Sequence, residues 1–375
     1  MNTAEIENEF KEIKYDITVY VPGTVCNMRC EYCYITQCID ENHSLKVNLK
    51  YPLETMIRAF SPKRLGGLAN VTVIGSGETL FCKEVIPFVK GLLEFGHVVS
   101  LVTNVTITKR LDEILNFERK LMRRLIIKGS CHWDELVRLK KLDTYFDYLR
   151  KFREVGANIS PFLVICSSYY KQFEEIHDRF IKELGDVPDC SPCLIMPTNE
   201  LIRGAQFYVD PPLDENFLKK EKLLFNSKVF DTCVKWLDID PQKIFCYAGK
   251  WSFIVNLESG RVRKCHRCPS ETDFFVDLEN MPKLEAIGSN CQTNSCSLQY
   301  NFIGEGLIPE YDDEKMSFGK MIYKEKFMNK EVLELLDYKF YKKYPVYSKA
   351  EEKVINKDVE ILFKTLNSRI NAMKK

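Results

Sequence analysis

The 375-residue chain has almost no net charge: 54 Lys and Arg stand against 53 Asp and Glu, leaving +1. So balanced a surface argues against a protein that coats nucleic acid in bulk, and a hydrophobic content of 45% argues against disorder. Bulk electrostatics therefore point to no partner. No apolar run is long enough to span a bilayer. The polar, acidic start MNTAEIENEFKEIKYD lacks the apolar stretch of a secretory signal, so a cytoplasmic protein is expected. Internal repeats and low-complexity tracts are also missing, which leaves an ordinary globular chain, long enough for one large domain and a smaller appendage.

Cysteine is the exception to this plainness. Fifteen are present, a high number for a reducing compartment in which disulfides do not persist, so clustered thiols point to metal. Cys38, Cys82, Cys131, Cys166 and Cys233 stand singly and read as small buried hydrophobes. Cys190 and Cys193 form a C-x2-C pair without a nearby partner pair and also read as structural.

From Tyr15 to about residue 200, short β-branched runs alternate with amphipathic stretches, the pattern of βα units and a parallel sheet. The spacing predicts strands over 16–21, 70–74, 98–103, 124–128, 157–165 and 193–196. Helices are predicted over 53–60, 84–94, 109–117, 133–154 and 171–184. Six strands fit either an open doubly wound sheet or a partial (β/α)6 barrel, and in both the loops after the strands carry function. Near Pro211 the pattern changes: a polar helix over 214–227 leads into a segment of Cys, Gly and turns. From about Glu310 charged amphipathic helices follow.

The loop after the first strand contains Cys26, Cys30 and Cys33 in the order C-x3-C-x2-C, with Tyr32 before the last. A closed zinc site needs four ligands, whereas three thiolates on a four-iron cluster leave one iron open. This loop resembles the hallmark of the radical S-adenosylmethionine (radical SAM) superfamily. The resemblance implies a partial (β/α)6 barrel in which the three cysteines hold a 4Fe–4S cluster. It also implies that S-adenosylmethionine (SAM) binds the open iron and is cleaved by one electron to a 5′-deoxyadenosyl radical that takes hydrogen from a substrate. Tyr32 is then expected near the adenine, and flavodoxin or ferredoxin is the expected electron donor.

After the second strand, Gly75-Ser76-Gly77-Glu78 is similar to the superfamily's Gly-Gly-Glu motif, with Ser76 intervening. Glycine lets backbone approach a ligand closely, and a carboxylate suits the ammonium of SAM. Thr103-Asn104 closes strand three as in related enzymes. Ser130, after strand four, is the candidate for the ribose. His132, one of five histidines, reads as an ordinary hydrogen-bonded residue or as a substrate contact, and residues 160–165 are expected against the adenine.

A second group of cysteines begins at Cys246 and continues through Cys265, Cys268, Cys291 and Cys296, with Ser259-Gly260 turning a hairpin between the first two. The spacing C-x13-G-x4-C resembles the opening of SPASM and the shorter twitch domains, which hold auxiliary 4Fe–4S clusters. Too few cysteines are present for the two clusters of a full SPASM domain, so a twitch-like module is expected. Its ligands are expected to be Cys246, Cys265, Cys291 and Cys296, with Cys268 as a substitute. The expected division is a radical SAM core over 1–210, the auxiliary module over 211–309 and a helical extension over 310–375.

The resemblance leaves two roles open for an auxiliary cluster: accepting an electron from a substrate radical, or binding substrate. The short N-terminus leaves no room for a peptide-recognition domain, and the run from Cys246 through Cys296 and on to residues 301–306 resembles radical SAM proteins associated with surface polysaccharides. A carbohydrate or nucleotide-sugar is therefore the expected substrate and peptide modification the alternative; a nucleic-acid substrate is disfavoured. A different class remains, a zinc-binding scaffold without catalysis, since fold likeness does not guarantee chemistry.

Overall fold

The computed structural model describes residues 10–21, 23, 25–33, 48–195, 208–210, 213–266, 268, 270, 272–289, 291, 296, 299–312 and 316–356. Cys38, Met196, Pro211, and the extension beyond Asn356 lie outside the described residues, as do Pro22, Thr24 and Tyr34 of the first cysteine loop.

Six parallel positions build the wall: β1 (Ile13–Val21), β2 (Leu68–Gly75), β3 (Val98–Thr103), β4 (Leu125–Cys131), the pair β5 (Asn158–Ile159) and β6 (Phe162–Ile165), and β7 (Asp189–Ile195). They follow one another in chain order across the sheet. A doubly wound sheet reverses its progression at a switch point, whereas this one advances in a single direction, the winding of a barrel wall. The fold is thus α/β with a partial barrel.

Two predicted elements are divided. The run 157–165 becomes β5 and β6, both on β4, because Pro161 has no amide to give the ladder. The bonds of the residue before it persist, from Gly129 N to Ser160 O and from Ser160 N to Ile127 O. The helix predicted over 133–154 becomes α6 (Trp133–Arg138) and α7 (Leu142–Glu154). Lys140 has φ 55°, and the bonds Lys140 N to Val137 O and Lys141 N to Leu136 O close a Schellman turn between them.

The other helices lie where the periodicity puts them, α3 (Val85–Glu94) and α8 (Phe173–Leu184) among them. Phe173, Ile176, Phe180 and Leu184 on α8 repeat at helical spacing and are buried. Cys82, Cys131, Cys166, Cys190, Cys193 and Cys233 are buried as well.

Both ends of the wall gain strands from later in the chain. β8 (Tyr208–Asp210) pairs antiparallel with β7. On the opposite edge β9 (Ser252–Asn256) pairs parallel with β1, and β10 (Val262–Arg263) folds back on β9. The hairpin of the second cysteine group is thereby continuous with the barrel sheet. α11 (Gln299–Glu305) and α12 (Phe318–Ile322) pack beyond it.

Side-chain alternation separates two faces of the wall. Ile17, Val19, Val71, Val73, Leu101, Ile127 and Cys131 are buried, while Thr18, Tyr20, Thr72, Val102, Lys128 and Ser130 at the intervening positions are partly accessible. Asp16, Thr18, Thr72, Lys128, Ser252 and Ile254 line one common cavity, which identifies this second face as the lumen.

Candidate active site

The first cysteine loop begins where β1 reaches the C-terminal rim of the barrel, and the next strand ends hold it there. Gly77 N bonds Gly23 O at 3.0 Å and Glu78 N bonds Val25 O at 2.9 Å, so the Gly75–Glu78 turn is laid directly against the loop. A Cβ at Gly75 would lie 3.2 Å from both Gly77 O and Thr79 Cα, which explains glycine in so tight a turn. The intervening Ser76 meets the Tyr20 hydroxyl of β1 through its own hydroxyl.

Glu78 fastens the rim. Its Oε1 accepts from Thr103 Oγ1 (2.6 Å) and Leu80 N (3.1 Å), and its Oε2 accepts from Asn104 N (2.8 Å). Three of about four acceptor positions of this buried carboxylate are filled from within the chain. Burial pushes the carboxyl above its usual range, while the three donors pull it back. Asn104 continues the network: Nδ2 donates to Asn27 Oδ1 at 2.8 Å and stands 3.9 Å from Cys26 Sγ.

From the other side, Glu135 of α6 accepts from Arg29 N at 2.6 Å while Arg138 grips it through two nitrogens at 2.6 and 2.7 Å. Arg138, with help from the Arg29 amide, holds the Glu135 carboxyl below its usual range against the opposing effect of desolvation. The bond from Cys33 N to Cys30 O (3.1 Å) turns the end of the loop, and Met28 N stands 3.4 Å from Cys26 Sγ.

Burial pushes the Cys26 and Cys30 thiols up, and the neighbouring cysteines add to the shift in both. Three free thiols on one rim loop fit a three-thiolate site, in which a metal's charge would reverse the shift of Cys26 and Cys30.

Tyr32 and His132 meet across the rim, Tyr32 OH and His132 Nδ1 standing 2.7 Å apart, and Tyr169 contacts Tyr32 edge-on at 6.3 Å. Burial lowers His132 to about 4, so its ring is neutral at physiological pH and its Nδ1 can accept the phenol proton. Ser130 sits on the lumen face of β4, two residues above Lys128. Tyr32, Gly75, Gly77, Glu78, Asn104 and Ser130 therefore all lie at one end of the barrel.

The second group is assembled over a longer distance. Cys246 and Gly288 exchange backbone bonds of 3.1 and 3.0 Å, bringing the segment before Cys291 alongside Cys246. The β9–β10 hairpin returns the chain to Cys265. Burial raises the Cys246 thiol well above its usual range, with Cys296, Cys265 and Cys291 adding to it in that order. The bond from Cys268 N to Cys265 O (3.0 Å) repeats the turn seen from Cys30 to Cys33. Among the described residues, no three His, Cys, Asp or Glu side chains form a ready ligating cage at either group; what is present is thiols near enough to influence one another.

The clamp residue Glu135 carries no motif in the sequence, and neither do the lumen charges Asp16 and Lys128, whereas Thr103, expected at the close of β3, is found there as a donor to Glu78. Lys128 had a signal, the one charge in LIIKGSC, whereas Asp16 shares IKYDITVYV with the charge of Lys14 and stands out less.

No protein-family model matches the chain, and no curated protein matches it. Solved structures give remote likenesses. One is SuiB from Streptococcus suis, with 13% identity and a TM-score of 0.48 over 73% of this chain and 66% of that one. Another is anSMEcpe with bound AdoMet, with 12% identity and a TM-score of 0.42 over 85% and 83% of the two chains. A third is BtrN in complex with AdoMet and 2-DOIA, with 14% identity and a TM-score of 0.32 over 71% and 79%. The chain spans just under two thirds of the SuiB length. At such scores and identities the likeness decides neither fold nor activity, and both are read from the chain itself.

Proposed function

We propose that the chain is a radical SAM enzyme. The observation that carries this reading is the C-x3-C-x2-C loop on the rim after β1, bonded through its backbone to the glycine turn after β2 and through side chains to the end of β3. Cys26, Cys30 and Cys33 would hold a 4Fe–4S cluster. When bound, cluster and SAM supply one-electron cleavage to a 5′-deoxyadenosyl radical that abstracts hydrogen.

The chain's own residues bind and orient. Gly75 and Gly77 leave room for SAM against the backbone of the turn. Glu78 presents its remaining acceptor position and, through Thr103 and Asn104, keeps the turn and the cysteine loop in register. Asn104 steadies Cys26, Tyr32 offers a ring whose hydroxyl is held by His132, and Ser130 faces the lumen where the ribose is expected.

Residues 1–210 form the catalytic core in this reading, 211–309 an auxiliary module and 310–375 a helical extension. Cys246, Cys265, Cys291 and Cys296 hold the second 4Fe–4S cluster, supported by the mutual influence of their thiols on Cys246. The substrate is a carbohydrate or nucleotide-sugar, supported by the polar lining of the lumen. A small donor such as flavodoxin or ferredoxin supplies the electron.

Anaerobic reconstitution, followed by iron and sulfide analysis and an assay for 5′-deoxyadenosine, tests the reading. About eight irons with 5′-deoxyadenosine formation are expected from two four-iron clusters. Zinc without iron, and no cleavage of SAM, would reduce the protein to a metal-bound scaffold.

A further inference from the structure

The barrel lumen is not filled by apolar side chains. Below the rim lies a cavity of about 50 Å³, covered by α11, with Asp16, Thr72, Lys128, Lys264, Asn301 and Glu305 among its walls. Thr72 and Lys128 each sit three residues before the end of their strands, so the cavity lies roughly 10 Å beneath the cysteine loop. Its volume suits a few waters or the hydroxyl-bearing end of a larger molecule.

Two features go beyond an ordinary hydrated core. Glu305 is 3% exposed, and its Oε2 has no hydrogen-bond partner among the described residues, although Ser252 bonds the same carboxylate. A buried carboxylate oxygen left unpaired is costly, and a ligand hydroxyl would satisfy it. In addition, two carboxylates, Asp16 and Glu305, face two ammonium groups, Lys128 and Lys264. This balance favours an uncharged, hydroxyl-rich ligand over an anion or a cation, either of which would leave one pair in excess.

Asp16 is already braced by Asn70 Nδ2 at 2.6 Å and Tyr338 OH at 3.2 Å, which leaves Glu305 as the acceptor free to take a ligand. Burial raises both carboxyls, Asp16 to about 6 against the opposing hydrogen bonds of Asn70 and Tyr338, and Glu305 with the nearby Asp16 adding to its shift.

We infer that this cavity is the floor of the substrate pocket and takes the hydroxyl-bearing end of a neutral polyol, with Glu305 Oε2 as its hydrogen-bond acceptor and α11 as its cover. A ligand anchored there presents its other end at the rim. The inference rests on the radical SAM reading only for what happens at the rim; the cavity and its ligand class stand apart from it.

The test is titration calorimetry and saturation-transfer NMR on the full chain, with glucose, myo-inositol and glycerol as probes and glutamate as a charged control. Saturable binding of at least one polyol and none of glutamate is expected. Glu305→Gln should weaken it about tenfold, and Thr72→Val, an isosteric change in the cavity wall, about threefold. Thr72→Val keeps the test decisive if Glu305→Gln fails to fold. The inference is overturned if none of the three polyols binds saturably, the cavity then holding water alone, or if both variants bind as the wild type does. Iron analysis and the 5′-deoxyadenosine assay on the same preparation separate the two claims. Polyol binding without iron would sink the proposed function and leave the cavity; iron and cleavage without polyol affinity would do the reverse.

Discussion

The two cysteine groups are brought together by opposite means. Cys26, Cys30 and Cys33 lie within eight residues on one loop, and three other strand ends or helices brace it, through the Glu78 backbone and the Asn104 and Glu135 side chains. Cys246 to Cys296 span 51 residues, gathered by a hairpin and a backbone bridge to Gly288. In the first group local spacing already places the thiols and the fold supplies rigidity. In the second the fold supplies the placement itself. Damage to packing should therefore affect the second group sooner than the first.

The largest effect tests whether the groups are independent. Cys30→Ala should abolish 5′-deoxyadenosine formation and leave about half of the reconstituted iron, that of the second cluster; cleavage at the wild-type rate would show that the rim loop is not the catalytic site. Conversely, Cys291→Ala should remove the second cluster's iron and its spectrum while the first remains, whereas Cys268→Ala should retain both. Equal losses in those two variants would put Cys268 in the ligand set.

Packing alone separates the groups next. Gly260 has φ 74°, and a Cβ there would lie 2.2 Å from Asp273 Oδ1. Gly260→Ala should cost about 2–3 kcal/mol in denaturant unfolding and selectively lower iron at the second site. An equal fall at both sites would mean that the hairpin is not what positions Cys265.

The complementary change is Glu78→Gln, which turns an amide toward three donors. It should cost about 2 kcal/mol of stability and weaken SAM binding, measured by calorimetry, with second-site iron unchanged. Undiminished SAM affinity would show that the turn does not border the SAM site. The smallest effect is expected from Tyr32→Phe, which loses one bond to His132, about 1 kcal/mol, and should appear as a rise in KM for SAM at nearly constant kcat.

Much of this was legible in the sequence, for identifiable reasons. β3 over Val98–Thr103 has the predicted bounds, and the ends of β1, β2 and β4 differ from theirs by at most three residues, because apolar β-branched runs between turns leave few alternatives. The division at Pro161 was readable in principle from a residue that cannot donate to a ladder. Lys140 carried no such mark: its positive φ follows from the Schellman closure of α6 rather than from a residue that prefers it.

Determined by sequence alone were the thiol chemistry of the rim loop, the βα repeat behind it and the glycine turn beside it, all consequences of spacing within a few residues. Only the tertiary structure decided that the sheet winds one way as a barrel, that β9 of the cysteine-rich segment completes its β1 edge, and that Glu305 of α11 closes a polar cavity with Asp16 and Lys128. Those arrangements depend on contacts between residues tens to hundreds of positions apart, and neither periodicity nor a motif encodes which distant partner a strand edge or a buried charge will find.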